Sequence, residues 1–242
     1  MILHGRGRHV IFRQLFEPES STYTYLLACP DSRRAVLVDP VIETADRDLA
    51  CVQELGLTLA YTLETHVHAD HVTAAARLRS LTGSKVACPD MDGITCADVG
   101  VSELQPLDVG SIRLQPLFTP GHTSSHHCYL TQTGDAVRLL TGDALLIDGC
   151  GRTDFQEGDS ALLYRSIHEK IFTQPDEALV YPGHDYHHRH VSTVGQERER
   201  NPRLGGGKTV EEFVEIMAGL DLPYPRKIDV AVPANLHCGT CD

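Results

Sequence analysis

Thr65-His66-Val67-His68-Ala69-Asp70-His71 places three imidazoles and a carboxylate within six residues. The apolar run before it, Leu57 to Leu63, alternates in part with period two and reads as a strand. Val72 to Leu81 after it reads as a helix, stopped by Thr82-Gly83. The polar cluster therefore sits where a strand hands over to a helix, the usual place for a site in an α/β fold. His66 and His68 are two apart, so in extended chain they project the same way. Asp70 and His71 lie at the turn into the helix. Imidazole with carboxylate suits zinc, iron or manganese. The plainer alternative is a solvated, histidine-rich turn, and matching residues further along argue against it.

Working outward, the same grammar recurs. Ala35-Val36-Leu37-Val38-Asp39-Pro40 is a buried strand ending in a carboxylate, with Asp39 either a turn residue or a hydrogen-bond partner for a site histidine. Val10 to Phe12 and Tyr23 to Leu27 read as strands. Ala45 to Leu55 reads as a helix closed by Gly56. Val109 to Leu117 forms a hairpin-like strand pair, followed by the turn Pro120-Gly121-His122-Thr123. Strands at Cys128 to Leu130 and Val137 to Leu140 lead into Thr141-Gly142-Asp143, and a helix spans Ser160 to Phe172. The strand Ala178 to Tyr181 ends in Pro182-Gly183-His184-Asp185. Val191 to Arg200 is polar and helix-prone. Thr209-Val210-Glu211-Glu212 opens a helix with capping-box spacing. Leu222 to Asp242 contains prolines and is expected to wrap the surface. Strand-rich halves with helices, and polar residues at strand ends, fit an α/β fold of the αβ/βα four-layer sandwich type with the site between two sheets. We find no linker, so the expectation is one domain over residues 1–242 with a C-terminal extension from about 191.

With 242 residues the chain is long enough for a sizeable core. Its net charge of −12 argues against binding nucleic acid through a broad basic surface. No apolar stretch approaches the ~20 residues that cross a bilayer, and residues 1–12 lack the apolar core of a secretory signal. Eight cysteines at irregular spacing read as mostly free thiols in a reducing compartment, so a cytoplasmic location is expected. Cys238-Gly239-Thr240-Cys241 is a terminal CxxC pair, either an exposed tail or a redox or metal element.

Seven ligand-type residues on four strand-end loops (His66, His68, Asp70, His71, His122, Asp143 and His184) are hard to explain without a metal. His66-Val67-His68-Ala69-Asp70-His71, Pro120-Gly121-His122-Thr123, Thr141-Gly142-Asp143 and Pro182-Gly183-His184 together resemble the metallo-β-lactamase superfamily. Within it the chain resembles the persulfide dioxygenases, the sulfur dioxygenase branch related to glyoxalase II. Gly142 to Ile147, Gly149 to Gln156, Tyr181 to Tyr186, Glu199 to Leu204 and Val232 to Asn235 carry that likeness, which covers nearly the whole chain. Ser124-Ser125-His126-His127 does not match the pattern, and Cys241 is additional.

The resemblance implies one iron(II) per chain on His66, His122 and Asp143, with His68, Asp70, His71 and His184 orienting ligands and water; a second metal stays open. Two histidines and one carboxylate leave three positions free on an octahedral metal. The implied reaction is oxygen-dependent oxidation of glutathione persulfide to sulfite and glutathione, a step in sulfide detoxification. His184 and Tyr186 are implied in catalysis beside the three ligands. Arg203 is the first candidate to bind a substrate carboxylate and Arg152 the second. Tyr186, Thr123 and Cys150 are implied near the substrate, with a buried core thiol the alternative for Cys150. The resemblance further implies a homodimer and a separate sulfurtransferase as persulfide donor. The competing readings are a glyoxalase II-like binuclear hydrolase of glutathione thioesters and a non-enzymatic metal scaffold.

Overall fold

The computed structural model describes residues 10–134 and 136–240. Two six-stranded sheets face each other. The first is ordered β1 (Ile11–Glu17), β2 (Thr22–Ala28), β3 (Arg34–Val38), β4 (Thr58–Leu63), β5 (Lys85–Pro89) and β6 (Val99–Val101). Strands β1 to β3 are antiparallel neighbours and β3 to β6 run parallel. The second sheet contains β7 (Leu107–Val109), β8 (Ile112–Phe118), β9 (His127–Thr133), β10 (Ala136–Gly142), β11 (Leu179–Pro182) and β12 (Ser192–Thr193), in the reverse order across the sheet. The β7–β8 pair is the expected hairpin.

Period-two alternation sorts side chains between layers. On β2, Tyr23, Tyr25 and Leu27 enter the core between the sheets, where they meet Leu114, Tyr129 and Leu140 of the second sheet. Leu26 and Ala28 point the other way, onto Ala45 and Val52 of α1 (Ala45–Glu54) and Leu78 of α2 (Ala75–Thr82). The outer face of the second sheet buries Leu139 and Val180 against α3 (Ser160–Ser166) and α5 (Val210–Ala218). Every residue of β2 is therefore buried, because both its faces are covered. Helix, sheet, sheet and helix form the αβ/βα sandwich.

Local signals set the helix ends. Asp159 caps α3 by accepting from the Leu162 amide, and the helix continues as a π-turn over Ile167–Ile171. Thr193 caps α4 (Val194–Arg200), and the capping box of Thr209 and Glu212 opens α5 as its spacing predicts.

Three readings need correction. The helix expected from Val72 begins only at Ala75. The Val72 carbonyl accepts from Ile42, the Thr73 amide binds the Asn235 side chain and the Ala74 amide binds Pro40, so these backbone groups are taken by tertiary partners. The C-terminal stretch is more than a wrap: Ile228–Asn235 forms α6, with Pro233 inside it. The cysteines also depart in part from the free-thiol reading, since Cys96 and Cys238 form a disulfide. Five others are free, and Cys241 lies outside the described residues.

Candidate metal centre

The ligand-type residues converge at one edge of the sandwich. His66 to His71 follow β4, His122 follows β8, Asp143 follows β10 and His184 follows β11. The two sheets are tied together there by the Tyr23 amide donating to the Gly183 carbonyl at 2.8 Å. One donor atom each from His66, His122 and Asp143 lie within 4.8 Å of one another.

Hydrogen bonds decide which ring nitrogen faces that space. Thr65 Oγ1 donates to Asp39 Oδ2 at 3.0 Å and so accepts from His66 Nδ1 at 2.8 Å, which leaves His66 Nε2 with its lone pair. His122 Nδ1 donates to the Arg152 carbonyl at 2.7 Å, with the same result. Asp143 Oδ1 is buried without a hydrogen-bond partner. Two imidazole lone pairs and an unpartnered carboxylate oxygen form a donor set that fits a divalent transition metal.

Asp39 settles its own alternatives. It adopts a left-handed backbone, accepts from the Thr65 amide at 2.7 Å, and lies 3.1 Å from His68 Nε2. Glu64 brings a second carboxylate to the same nitrogen at 3.4 Å. Burial alone pushes the His68 imidazole down, but the Asp39 and Glu64 carboxylates overcome it and hold it well above the ordinary histidine range. Burial, reinforced by the neighbouring imidazoles, drives His66 well below that range, so its ring is neutral and ready for metal.

Asp70, His71 and His184 form the second half of the cluster. Asp70 Oδ2 lies 2.9 Å from His71 Nδ1 and 3.5 Å from His184 Nε2. His184 Nδ1 donates to the Ser20 carbonyl at 3.2 Å, and its Nε2 is 3.4 Å from Asp143 Oδ1. Buried His68 Nδ1 and His71 Nε2 lack hydrogen-bond partners, and His68, Asp70 and His71 themselves converge within 4.8 Å. A second cation site therefore stays open on geometry.

A cavity of about 640 Å³ opens beside this edge. His122, Asp143, His184, Tyr186, Arg203 and Arg152 are among the residues that line it. Tyr186 is 67% exposed, with its ring parallel to that of His184. Among the described residues, Arg203 engages only Nη1, which donates to the Cys150 carbonyl at 2.7 Å. Arg152 is more committed. It grips Asp154 with two nitrogens at 2.6 and 2.7 Å and the Pro223 carbonyl with the third at 2.8 Å. Cys150 touches the cavity but is buried, with Sγ 3.7 Å from Met217 Sδ and its thiol pushed up to about 11 by burial. Thr123 is buried, its hydroxyl unpartnered, and it is not part of the cavity wall.

Sequence reading overlooked three contributors. His126 lies in the stretch that matched no pattern. Its Nε2 accepts from the Asp143 amide at 3.2 Å and its Nδ1 bonds Thr119 Oγ1 at 3.0 Å, so it braces a candidate ligand. Glu64 directly precedes the quoted motif, and only its burial beside His68 reveals it. Asn235 lay in a matched stretch, but helix α6 brings it to the loop of the first histidines.

Residues 18–184 match the metallo-β-lactamase superfamily. The human protein named persulfide dioxygenase ETHE1, mitochondrial, is 50% identical over 236 residues, 97% of this chain and 91% of that protein. The chain belongs to the persulfide dioxygenase family of that superfamily. The crystal structure of ETHE1 from Myxococcus xanthus is 52% identical, with a TM-score of 0.90 over 95% of this chain and all of that one. A hydroxyacylglutathione hydrolase from Polaromonas is 35% identical over 167 residues, 68% of this chain and 62% of that protein. Family membership accounts for the shared strand-end motifs and implies a bound metal ion. No helix among the described residues is long and apolar enough to cross a membrane.

Proposed function

We propose that this protein is an iron-dependent persulfide dioxygenase acting on glutathione persulfide. One glutathione persulfide, one dioxygen and one water give one glutathione and one sulfite, with loss of protons. The observation that carries the reading is the His66, His122 and Asp143 donor set beside a cavity that Arg203 lines. His66, His122 and Asp143 would hold iron(II), which would supply the redox chemistry that joins dioxygen to a substrate sulfur.

The chain's own groups do the rest. The Thr65–Asp39 pair and the Arg152 carbonyl keep His66 and His122 presenting Nε2. Arg203 reads a substrate carboxylate, and Tyr186 lines the same cavity. Arg152 acts mainly by holding Pro223 of the cavity wall. His184 Nε2 stands 3.5 Å from Asp70 and 3.4 Å from Asp143, where it can carry a proton at the edge of the site. Burial lowers His184, but Asp143 and Asp70 outweigh it and raise its pKa. Cys150 stays a neutral core thiol.

Assembly as a homodimer, a separate sulfurtransferase as donor and a cytoplasmic location complete the proposal, carried by family resemblance and composition. The test is oxygen uptake on glutathione persulfide together with metal analysis of the same sample. Uptake with about one iron per chain is expected. The convergence of His68, Asp70 and His71 favours one rival, a binuclear glutathione thioesterase. Thioester hydrolysis with two metals per chain and no oxygen uptake would replace the present reading with that one.

A further inference from the structure

Asn235 ends α6 and is buried. Its Nδ2 donates to the carbonyls of His68 at 2.8 Å and His71 at 2.9 Å, and its Oδ1 accepts from the Thr73 amide at 2.9 Å. One side chain thus spans the loop that follows His66. The residues after it ride on the same loop. The Cys238 carbonyl accepts from the Ala76 amide at 2.9 Å, and a Cβ at Gly239 would stand 2.1 Å from the Thr73 carbonyl oxygen.

The apolar packing beneath this tail is slight. Ala75, Val86 and Cys238 are its buried members, with Ile94, Cys96 and Ala97 half-buried around them. What fastens the tail is the Cys96–Cys238 disulfide, which joins residues 142 apart in sequence. In a reducing compartment such a bond is usually transient or redox-sensing. Cys96 is half-buried and Cys238 is 3% exposed, so an incoming thiolate reaches the Cys96 sulfur first.

We propose that the Cys96–Cys238 disulfide is a thiol-responsive clasp that, through Asn235, sets how firmly the His66 to Thr73 loop holds its metal. In the opening step a low-molecular-weight thiolate attacks Cys96 Sγ. A mixed disulfide forms on Cys96, the Cys96–Cys238 bond breaks, and Cys238 leaves as a thiolate that takes up a proton. A second thiol molecule then displaces the first as a small-molecule disulfide. Overall, the protein disulfide is reduced to two thiols and two small thiols are oxidised to one disulfide. Freed from Cys96, the tail releases the last turn of α6, and Asn235 no longer pins the three backbone groups. Asn235 is a positioning residue in this scheme, since it touches the ligand loop and not the metal.

The inference rests on the metal site and not on the persulfide reading, so a protein that binds metal but oxidises nothing still reports on it. The metal-loaded protein is equilibrated in glutathione buffers of low and high disulfide content, and its thiols are counted by alkylation and mass. Release of metal to a chromogenic chelator is then timed. Losing a group that orients metal ligands typically weakens binding by about ten- to a hundredfold, and the reduced wild type should release metal faster by that factor. Cys96→Ser should be fast in both buffers, and Cys51→Ser should behave as wild type. Asn235→Asp should be fast even with the disulfide closed, because a carboxylate has no N–H for the two carbonyls. Amide exchange over residues 66–73 gives the same comparison without metal. If Cys96→Ser lowers Tm but releases metal at the oxidised wild-type rate, the disulfide is only structural and the proposal fails. It fails equally if alkylation finds both cysteines free under oxidising conditions.

Discussion

His122 Nδ1 lies 2.7 Å from the carbonyl oxygen of Arg152, so a candidate ligand takes its tautomer from a backbone group rather than a side chain. Two substitutions separate the roles of this segment. Arg152→Ala keeps the carbonyl and should keep the metal, while losing the tie to Pro223 and loosening the cavity wall. Gly151→Ala keeps Arg152, but its Cβ would stand 2.5 Å from the Asp143 carbonyl oxygen and 2.7 Å from His122 Nδ1. It should lose most of the metal. Elemental analysis of both variants checks the pair, and equal metal content in the two would refute the assignment.

Asp143→Asn removes the anionic donor of the set while keeping its shape. Metal content should fall to a small fraction of wild type. Full occupancy in this variant would move the metal elsewhere in the cluster.

His184→Ala distinguishes one metal from two. If His184 only orients ligands and protons, the variant keeps most of its single metal and turns over more slowly. A drop from two metals to one per chain would favour the binuclear alternative.

Arg203→Ala should weaken apparent persulfide affinity and leave metal content unchanged. A charge-assisted hydrogen bond is typically worth ~1.5–3 kcal/mol, which corresponds to about ten- to a hundredfold in half-saturating concentration. Arg203→Lys should recover only part of this, because a point charge does not reproduce the guanidinium fork. An unchanged half-saturation in Arg203→Ala would shift attention to the other arginines of the wall.

Asp185 gives a pH test on the loop that carries His184 and Tyr186. Burial raises its carboxyl, but the amides of Arg189 and His187 and the Arg189 guanidinium outweigh that and hold it below the usual value of 3.8. A carboxylate lowered on folding stabilises the protein fully above its unfolded pKa, and that contribution is lost as pH falls through the folded value. Asp185→Asn should therefore lower Tm at neutral pH, with the gap to wild type narrowing below about pH 4. A gap independent of pH would mean that the charge is not what the loop uses.

The sequence by itself determined the sandwich and the strand-end histidines and aspartates gathered at its edge, but not His126, Glu64 or Asn235 beside them. Period-two apolar runs ending in His, Asp and Gly placed the strands, and those strand-end residues do meet at one edge. Such signals are local, written within a few residues of where they act. What only the tertiary structure decided are the contacts between distant segments. Asp39 chose between turn residue and histidine partner only when β3 and β4 lay side by side. Arg152 became a tether and Arg203 a cavity residue according to which carbonyls came within reach. Thr123 turned into the interior and away from the cavity. Helix α2 began late because the Ile42 amide claimed the Val72 carbonyl and the Cys238 carbonyl claimed the Ala76 amide, the two groups that would have paired in an earlier turn. Cys238 lies 142 residues from Cys96, and no spacing rule connects two residues that only the packed chain brings together.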